Sequence, residues 1–164
     1  MEQQLNDILV NILTSRQDLV FIAIKQRAKF EGWLKFELAN ELNNIYSDDT
    51  CVEKCMPYKG SEKLVDVFSN NSCIELKTPN TSYRHDGCEN RTRPKTNNIA
   101  SIIDDINALK KIGVDGYIAF VMFPIDNNGK YQSHIDKIDA KVENSVKTVI
   151  KINNIPILVY TAKV

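Results

Sequence analysis

Apolar residues recur along the first part of the chain at helical spacing. Leu5, Ile8, Leu9, Ile12 and Leu13 form one stripe that breaks near Thr14-Ser15, which predicts a first amphipathic helix. A second helical stretch starts near Asp18, and its later part places Phe30, Leu34, Leu38, Leu42 and Ile45 along one side. Two acids accompany that stripe: Glu37 at its edge, one turn after Trp33, and Glu31 on the stripe itself, close in angle to Leu38. Trp33 reads as a core anchor. Residues 48–60 are rich in turn formers and read mostly as loop, with one short strand around Cys51 to Cys55.

The pattern then changes period. Two short apolar runs, 64–68 and 73–77, flank Ser69-Asn70-Asn71-Ser72, and an Asn-Asn pair can adopt the left-handed angles of a two-residue hairpin turn. Counting outward from that turn sets Ser69 against Ser72, Phe68 against Cys73 and Asp66 against Glu75. Facing residues share a side of the sheet, and Lys77 shares the side of Glu75 because side chains alternate with period two. Two acids facing one another destabilise a sheet unless something neutralises them, and a hard cation held by carboxylate oxygens is the usual solution. The hairpin is therefore a candidate metal site; the alternative is an exposed hairpin whose acids splay into water.

Residues 78–97 form the least regular stretch, carrying Arg84, Arg91, Arg93 and Lys95 against Asp86 and Glu89. A loop of this length inside a compact domain is more often functional than incidental, and its Arg, Asn, Thr and Tyr side chains suit phosphate oxygens. Helical spacing returns over 98–112, with Ile99, Ile102, Ile103, Ile106 and Leu109 apolar. The run 115–124 is almost wholly apolar, as a strand buried on both faces should be. Ile135, Ile138, Val142 and Val146 mark a further helix, and 155–160 a last strand. The order predicts an α/β fold with a mixed sheet, in which an antiparallel hairpin is joined to a strand through a crossover helix.

With 164 residues the chain suits one domain, 1–164, able to bury a core without disulfides. Its 21 basic and 21 acidic residues balance, so no global field draws it to a polyanion and any such binding must come from a local patch. The start of the chain lacks the pattern of a leader, and no stretch approaches the roughly 20 apolar residues that span a bilayer, so a cytoplasmic protein without a membrane partner is expected. Cys51, Cys55, Cys73 and Cys88 fit reduced thiols; grouped with His85, three of them match no strong zinc spacing.

A helix bearing Glu37, then Asp66, then Glu75-Leu76-Lys77, then a crossover helix and a buried strand resembles the PD-(D/E)XK nuclease superfamily. The run Gly32-Trp33-Leu34-Lys35-Phe36-Glu37-Leu38 is similar to the first-helix pattern of some members. The likeness covers roughly residues 30–124, and it departs in having Val65 where the motif's proline would stand. The resemblance implies a restriction-endonuclease-like three-layer core. It also implies a metal-dependent endonuclease acting on DNA, with RNA left open, and Mg²⁺ or Mn²⁺ as cofactor. Asp66, Glu75 and the Leu76 carbonyl would be metal ligands, Lys77 would orient the attacking water or help deprotonate it, and Glu37 would complete the acidic set, with Glu31 as its alternate. Arg84, Arg91, Arg93 and Lys95 would clamp the phosphate backbone, in a segment that orders on substrate. The balanced charge leaves room for a homodimer or a separate recognition partner. The rival reading is a catalytically inactive nuclease-fold protein that binds nucleic acid or regulates.

Overall fold

The computed structural model describes residues 1–47, 49–89, 95–126 and 128–164, with the side chains of 95–97 outside that description. Helices α1 (Glu2–Ser15), α2 (Gln17–Gln26) and α3 (Glu31–Tyr46) come first. The break near Ser15 falls where the apolar stripe ends. A second break follows at Arg27, whose left-handed φ of 51° closes α2 while its backbone N–H reaches the carbonyls of Ala23 and Ile24. The predicted second helical stretch is therefore two helices.

Strands β1 (Cys51–Tyr58), β2 (Ser61–Ser69) and β3 (Ser72–Lys77) follow, then α4 (Lys95–Leu109), β4 (Asp115–Met122), α5 (Gln132–Asp139), β5 (Asn144–Ile152) and β6 (Ile155–Lys163). The six strands make one open mixed sheet in the order β1-β2-β3-β4-β6-β5. Among the described strands only β3 and β4 pair in parallel, joined through α4 as the crossover, and the other strand pairs are antiparallel. Apolar residues of α1, α2 and α3 pack with Val67, Ile74 and Leu76 on one face, while those of α4 and α5 pack with Ile118, Phe120 and Leu158 on the other. The fold is thus α/β with helices on both faces of the sheet.

Two expectations are corrected. The first strand is not a short piece around Cys51 to Cys55 but extends to Tyr58, all along β2. The helix expected to run through Val142 and Val146 stops at Asp139, and Val146 belongs to β5. Ile138, Val142 and Val146 mimic helical spacing, but Val146, Thr148, Val149, Ile150 and Ile152 are β-branched and suit a pleated surface. Asn153 and Asn154, with φ of 47° and 66°, turn β5 into β6 as Asn70 and Asn71, at 48° and 55°, turn β2 into β3. Among the described residues no helix is long and apolar enough to cross a membrane.

Candidate active site

The β2–β3 hairpin has the register that its turn predicts: Ser69 pairs with Ser72, Phe68 with Cys73 and Val67 with Ile74. Continuing it brings Asp66 opposite Glu75. There a side chain takes over from the ladder, because Leu76 donates its backbone N–H to Asp66 Oδ2 at 2.9 Å. Glu53, between the Val52–Val67 and Lys54–Val65 pairs of the neighbouring strand, has a φ of 53°, so β1 is irregular at the same level. Lys63 and Asp66 are three residues apart, a spacing that a regular pleat would send to opposite faces. Here both reach one cluster.

That cluster centres on Lys77. Its Nζ lies 3.2 Å from Asp105 Oδ2, 3.7 Å from both Asp66 Oδ2 and Glu75 Oε2, and 3.8 Å from Glu31 Oε1. It also donates to the Leu76 carbonyl at 3.2 Å. Lys63 bridges Glu75 Oε1 and Asp105 Oδ1 at 3.2 Å each, and Lys35 of α3 lies 3.7 Å from Asp66 Oδ1 and 2.7 Å from Glu53. Four carboxylates thus face three ammoniums, apart from the more exposed Glu53 at the rim.

The predicted pair Asp66 and Glu75 does meet, with Lys77 between the two carboxylates. Glu37 does not join them. Its Oε1 accepts from Trp33 Nε1 at 3.1 Å, and it lines a hollow between α1 and α3 with Asn11, Arg16 and Glu41. Glu31 takes the helix acid's place: besides Lys77 it receives the Thr78 backbone N–H at 3.2 Å. The reason is rotation about α3. At about 100° per residue, Glu31 and Lys35 lie within roughly 40° of each other on the arc that holds Leu34 and Leu38, whereas Glu37 is turned about 120° away from Glu31.

Asp105, Lys63 and Lys35 were not anticipated. Asp105 had a readable signal, since it lies within about 40° of Leu109 on the helical wheel of α4, and an acid beside a core-facing arc is forced toward the sheet. Lys63 sits on β2 two residues from the buried Val65, on the same side by alternation.

Burial governs the charge states. Glu75 is only 4% exposed, and its carboxyl is pushed up to about 7, first by desolvation and then by the nearby Asp66 and Asp105, against the pull of Lys63 and Lys77. Burial pulls the Lys77 ammonium down, but Asp105, then Glu31, Asp66 and Glu75 more than offset this and leave it raised. Lys77 is therefore a firmly held cation at neutral pH: a donor to anionic oxygens rather than a base.

An acid whose pKa is raised by folding destabilises the fold once it must ionise, so the contribution of Glu75 is best below about 4.5 and is lost as pH rises to about 7. Glu75→Gln in chelator is expected to unfold at higher urea than the wild type at pH 8, by on the order of 2 kcal/mol, with the gap closing toward pH 5. A gap that does not change with pH would contradict this.

Two buried oxygens, Glu75 Oε1 and Asp105 Oδ2, have ammoniums near them but no hydrogen bond of acceptable geometry. The donor set is all oxygen, which suits a hard cation such as Mg²⁺ or Mn²⁺. Among the described residues no three His, Cys, Asp or Glu side chains form a ready ion cage. Mg²⁺ keeps several waters and needs only one or two protein carboxylates, so an ion here would use Asp66, Glu75 and the Leu76 carbonyl, the oxygens that Lys77 Nζ approaches at 3.2–3.7 Å.

The stretch after Lys77 is held by a buried arginine. Arg27, 1% exposed, donates through Nε, Nη1 and Nη2 to the backbone carbonyls of Glu89, Thr81 and Tyr83. The Arg27 carbonyl accepts from Asn80 Nδ2 at 2.7 Å, and Glu89 N–H bonds to the Lys25 carbonyl at 2.8 Å. Residues 81–89 are thus fastened to the end of α2 by backbone acceptors and one backbone donor. Arg84 is exposed on this stretch. Arg91 and Arg93 lie outside the described residues, and so does the side chain of Lys95 at the start of α4. The four cysteines are free thiols. No family model, curated protein or solved structure matches the chain.

Proposed function

We propose that this protein is a metal-dependent nuclease of the PD-(D/E)XK type, with a restriction-endonuclease-like core, that hydrolyses phosphodiester bonds in DNA. One observation carries the reading: Asp66, Glu75 and Lys77 gather at the level where the Asp66 carboxylate replaces a ladder bond, with a buried Glu75 oxygen lacking a hydrogen bond. Phosphodiester hydrolysis requires charge to be neutralised on phosphorus and a water to be made nucleophilic.

Mg²⁺ or Mn²⁺ bound by Asp66, Glu75 and the Leu76 carbonyl would supply both. The protein's own groups do the rest. Lys77, kept protonated by the surrounding acids, presents its ammonium to a non-bridging phosphate oxygen, where negative charge grows in the transition state. Asp105, the nearest carboxylate to Lys77, and Glu31 fix that ammonium in place. Glu31 also holds the Thr78 N–H and so sets the path of the chain leaving β3. Lys63 offsets charge on Glu75 and Asp105. Arg84, together with Arg91, Arg93 and Lys95, whose side chains lie outside the description, would contact the phosphate backbone.

The same lysines favour one rival. A cluster already neutralised by Lys35, Lys63 and Lys77 could serve a protein that keeps the fold and binds nucleic acid without cutting it. The two readings separate when purified protein is incubated with plasmid, linear and single-stranded DNA and with RNA, in Mg²⁺, in Mn²⁺ and in chelator. Metal-dependent cleavage supports the nuclease, and the substrate that is cut settles DNA against RNA. Binding without cleavage in either metal overturns it in favour of the rival.

A further inference from the structure

A cleft of about 220 Å³ opens beside the cluster, lined by Lys29, Lys77, Thr78, Pro79, Asn98 and Ser101. Its lining contains two ammoniums, two hydroxyls and a carboxamide, and no carboxylate. Lys77 serves both places, since its side chain contacts the acidic cluster and also forms part of the cleft wall. Lys29 differs from every lysine of the cluster: it is exposed, and among the described residues it makes no ion pair.

The walls are joined to one another. Phe30, next to Lys29, donates its backbone N–H to Thr78 Oγ1 at 3.2 Å, and Asn98 Nδ2 donates to the Asn80 carbonyl at 3.1 Å. These bonds link the start of α3, the chain leaving β3 and the first turns of α4. The walls are thus fixed to one another by the chain's own hydrogen bonds, which reduces the ordering cost of binding.

We propose that this cleft holds a phosphate of the nucleic-acid strand adjoining the one at Lys77, with Lys29 as its charge partner and Ser101 and Asn98 as hydrogen-bond donors. The proposal rests on the nuclease reading for the identity of its ligand. It moves the main phosphate contact from the arginine-bearing stretch to the mouth of the cluster itself. A small donor-lined hollow with cationic walls and no acid suits a singly charged phosphodiester, and a strand entering it runs directly past Lys77.

The test is binding of labelled duplex and single-stranded DNA, followed by fluorescence anisotropy in chelator over a series of salt concentrations, so that no cleavage is needed. Each phosphate contact contributes about 0.9 to the slope of log K against log salt for duplex and about 0.7 for single strands. Lys29→Ala is expected to lower the slope by about that amount and to weaken binding several-fold. Ser101→Asp, which sets an anion at the cleft, should weaken it further, and Lys151→Ala on the edge strand β5 should leave the slope unchanged.

An unchanged slope in Lys29→Ala, an equal loss in Lys151→Ala, or no DNA binding by the wild type would overturn the proposal. Binding of inorganic phosphate measured by titration calorimetry, with no DNA binding in the anisotropy assay, would overturn the strand assignment in favour of a free-phosphate site. A Lys29-dependent slope in a protein that cuts nothing would leave the cleft standing and remove the nuclease; Asp66-dependent cleavage with an unchanged slope would do the reverse.

Discussion

Asp66→Ala and Lys77→Ala are each expected to lower metal-dependent cleavage by about 10²–10⁴-fold, the range that follows loss of a positioned catalytic or charge-stabilising group. Asp66 acts twice, through its carboxylate charge and through the bond it accepts from Leu76 N–H, so removing it also frees a backbone donor at the level of Glu75. Lys77 is the cation on which Glu31, Asp66, Glu75 and Asp105 converge. Its removal takes from Glu31, Asp66, Glu75 and Asp105 the cation they share and, on the nuclease proposal, the donor to the phosphate.

The control is Glu37→Gln, expected to stay within about twofold of the wild type because Glu37 bonds to Trp33 on the far arc of α3. Glu31→Gln, which weakens the hold on Lys77, should fall between. Initial rates on the substrate that the wild type cuts, with folding checked by circular dichroism, decide the matter. Rates in Asp66→Ala and Lys77→Ala near the wild type, or a Glu37→Gln loss as large as theirs, would contradict this arrangement.

Arg27→Met is expected to lower unfolding free energy by about 3–5 kcal/mol, the cost of stripping a buried charged donor from its partners. A long apolar side chain can fill much of the guanidinium's volume, so the effect comes from the carbonyls of Thr81, Tyr83 and Glu89, which lose their donors under cover. Arg27→Lys restores the charge but not the planar fork, and should recover only part of the loss. For a chain of this size each kcal/mol corresponds to about 2–4 °C, so urea and thermal melts both resolve the change. The same variant should expose residues 81–89 to protease before global unfolding. A loss below about 1 kcal/mol would mean that the stretch is held by other contacts.

Arg27 also marks a limit of reading the sequence. Nothing in Gln26-Arg27-Ala28 announces an arginine buried at a helix end, because its three partners are backbone carbonyls 54 to 62 positions away, and backbone groups leave no residue-type signal. The hairpin was legible for the opposite reason. Its turn residues are local, and once Asn70 and Asn71 are placed, the side of Asp66, Glu75 and Lys77 follows by counting. The same rule at Asn153 and Asn154 would have revealed β5, but the accidental four-residue spacing of Ile138, Val142 and Val146 masked it.

On α3 the choice between Glu31 and Glu37 was open to angle alone. The similarity of the segment around Trp33 to the first helix of some nucleases pointed to Glu37, while the wheel pointed to Glu31. Asp105 carried a signal on the wheel of α4, but its partners Lys63 and Lys77 reach it only when α4 crosses from β3 to β4. Charge balance over the whole chain hid a local cluster in which acids and lysines alternate around one buried glutamate.

The most direct measurement is the melting temperature at pH 8 with increasing Mg²⁺ or Mn²⁺, for the wild type beside Glu75→Gln. A ligand at 100 times its dissociation constant stabilises a fold by about 2.7 kcal/mol, which for this chain length is about 5–10 °C. The wild type is predicted to rise by that order and Glu75→Gln to stay flat, because the amide cannot replace the carboxylate that the proposed site needs. Equal rises in both proteins, or none in the wild type, would contradict a metal centre at Asp66 and Glu75.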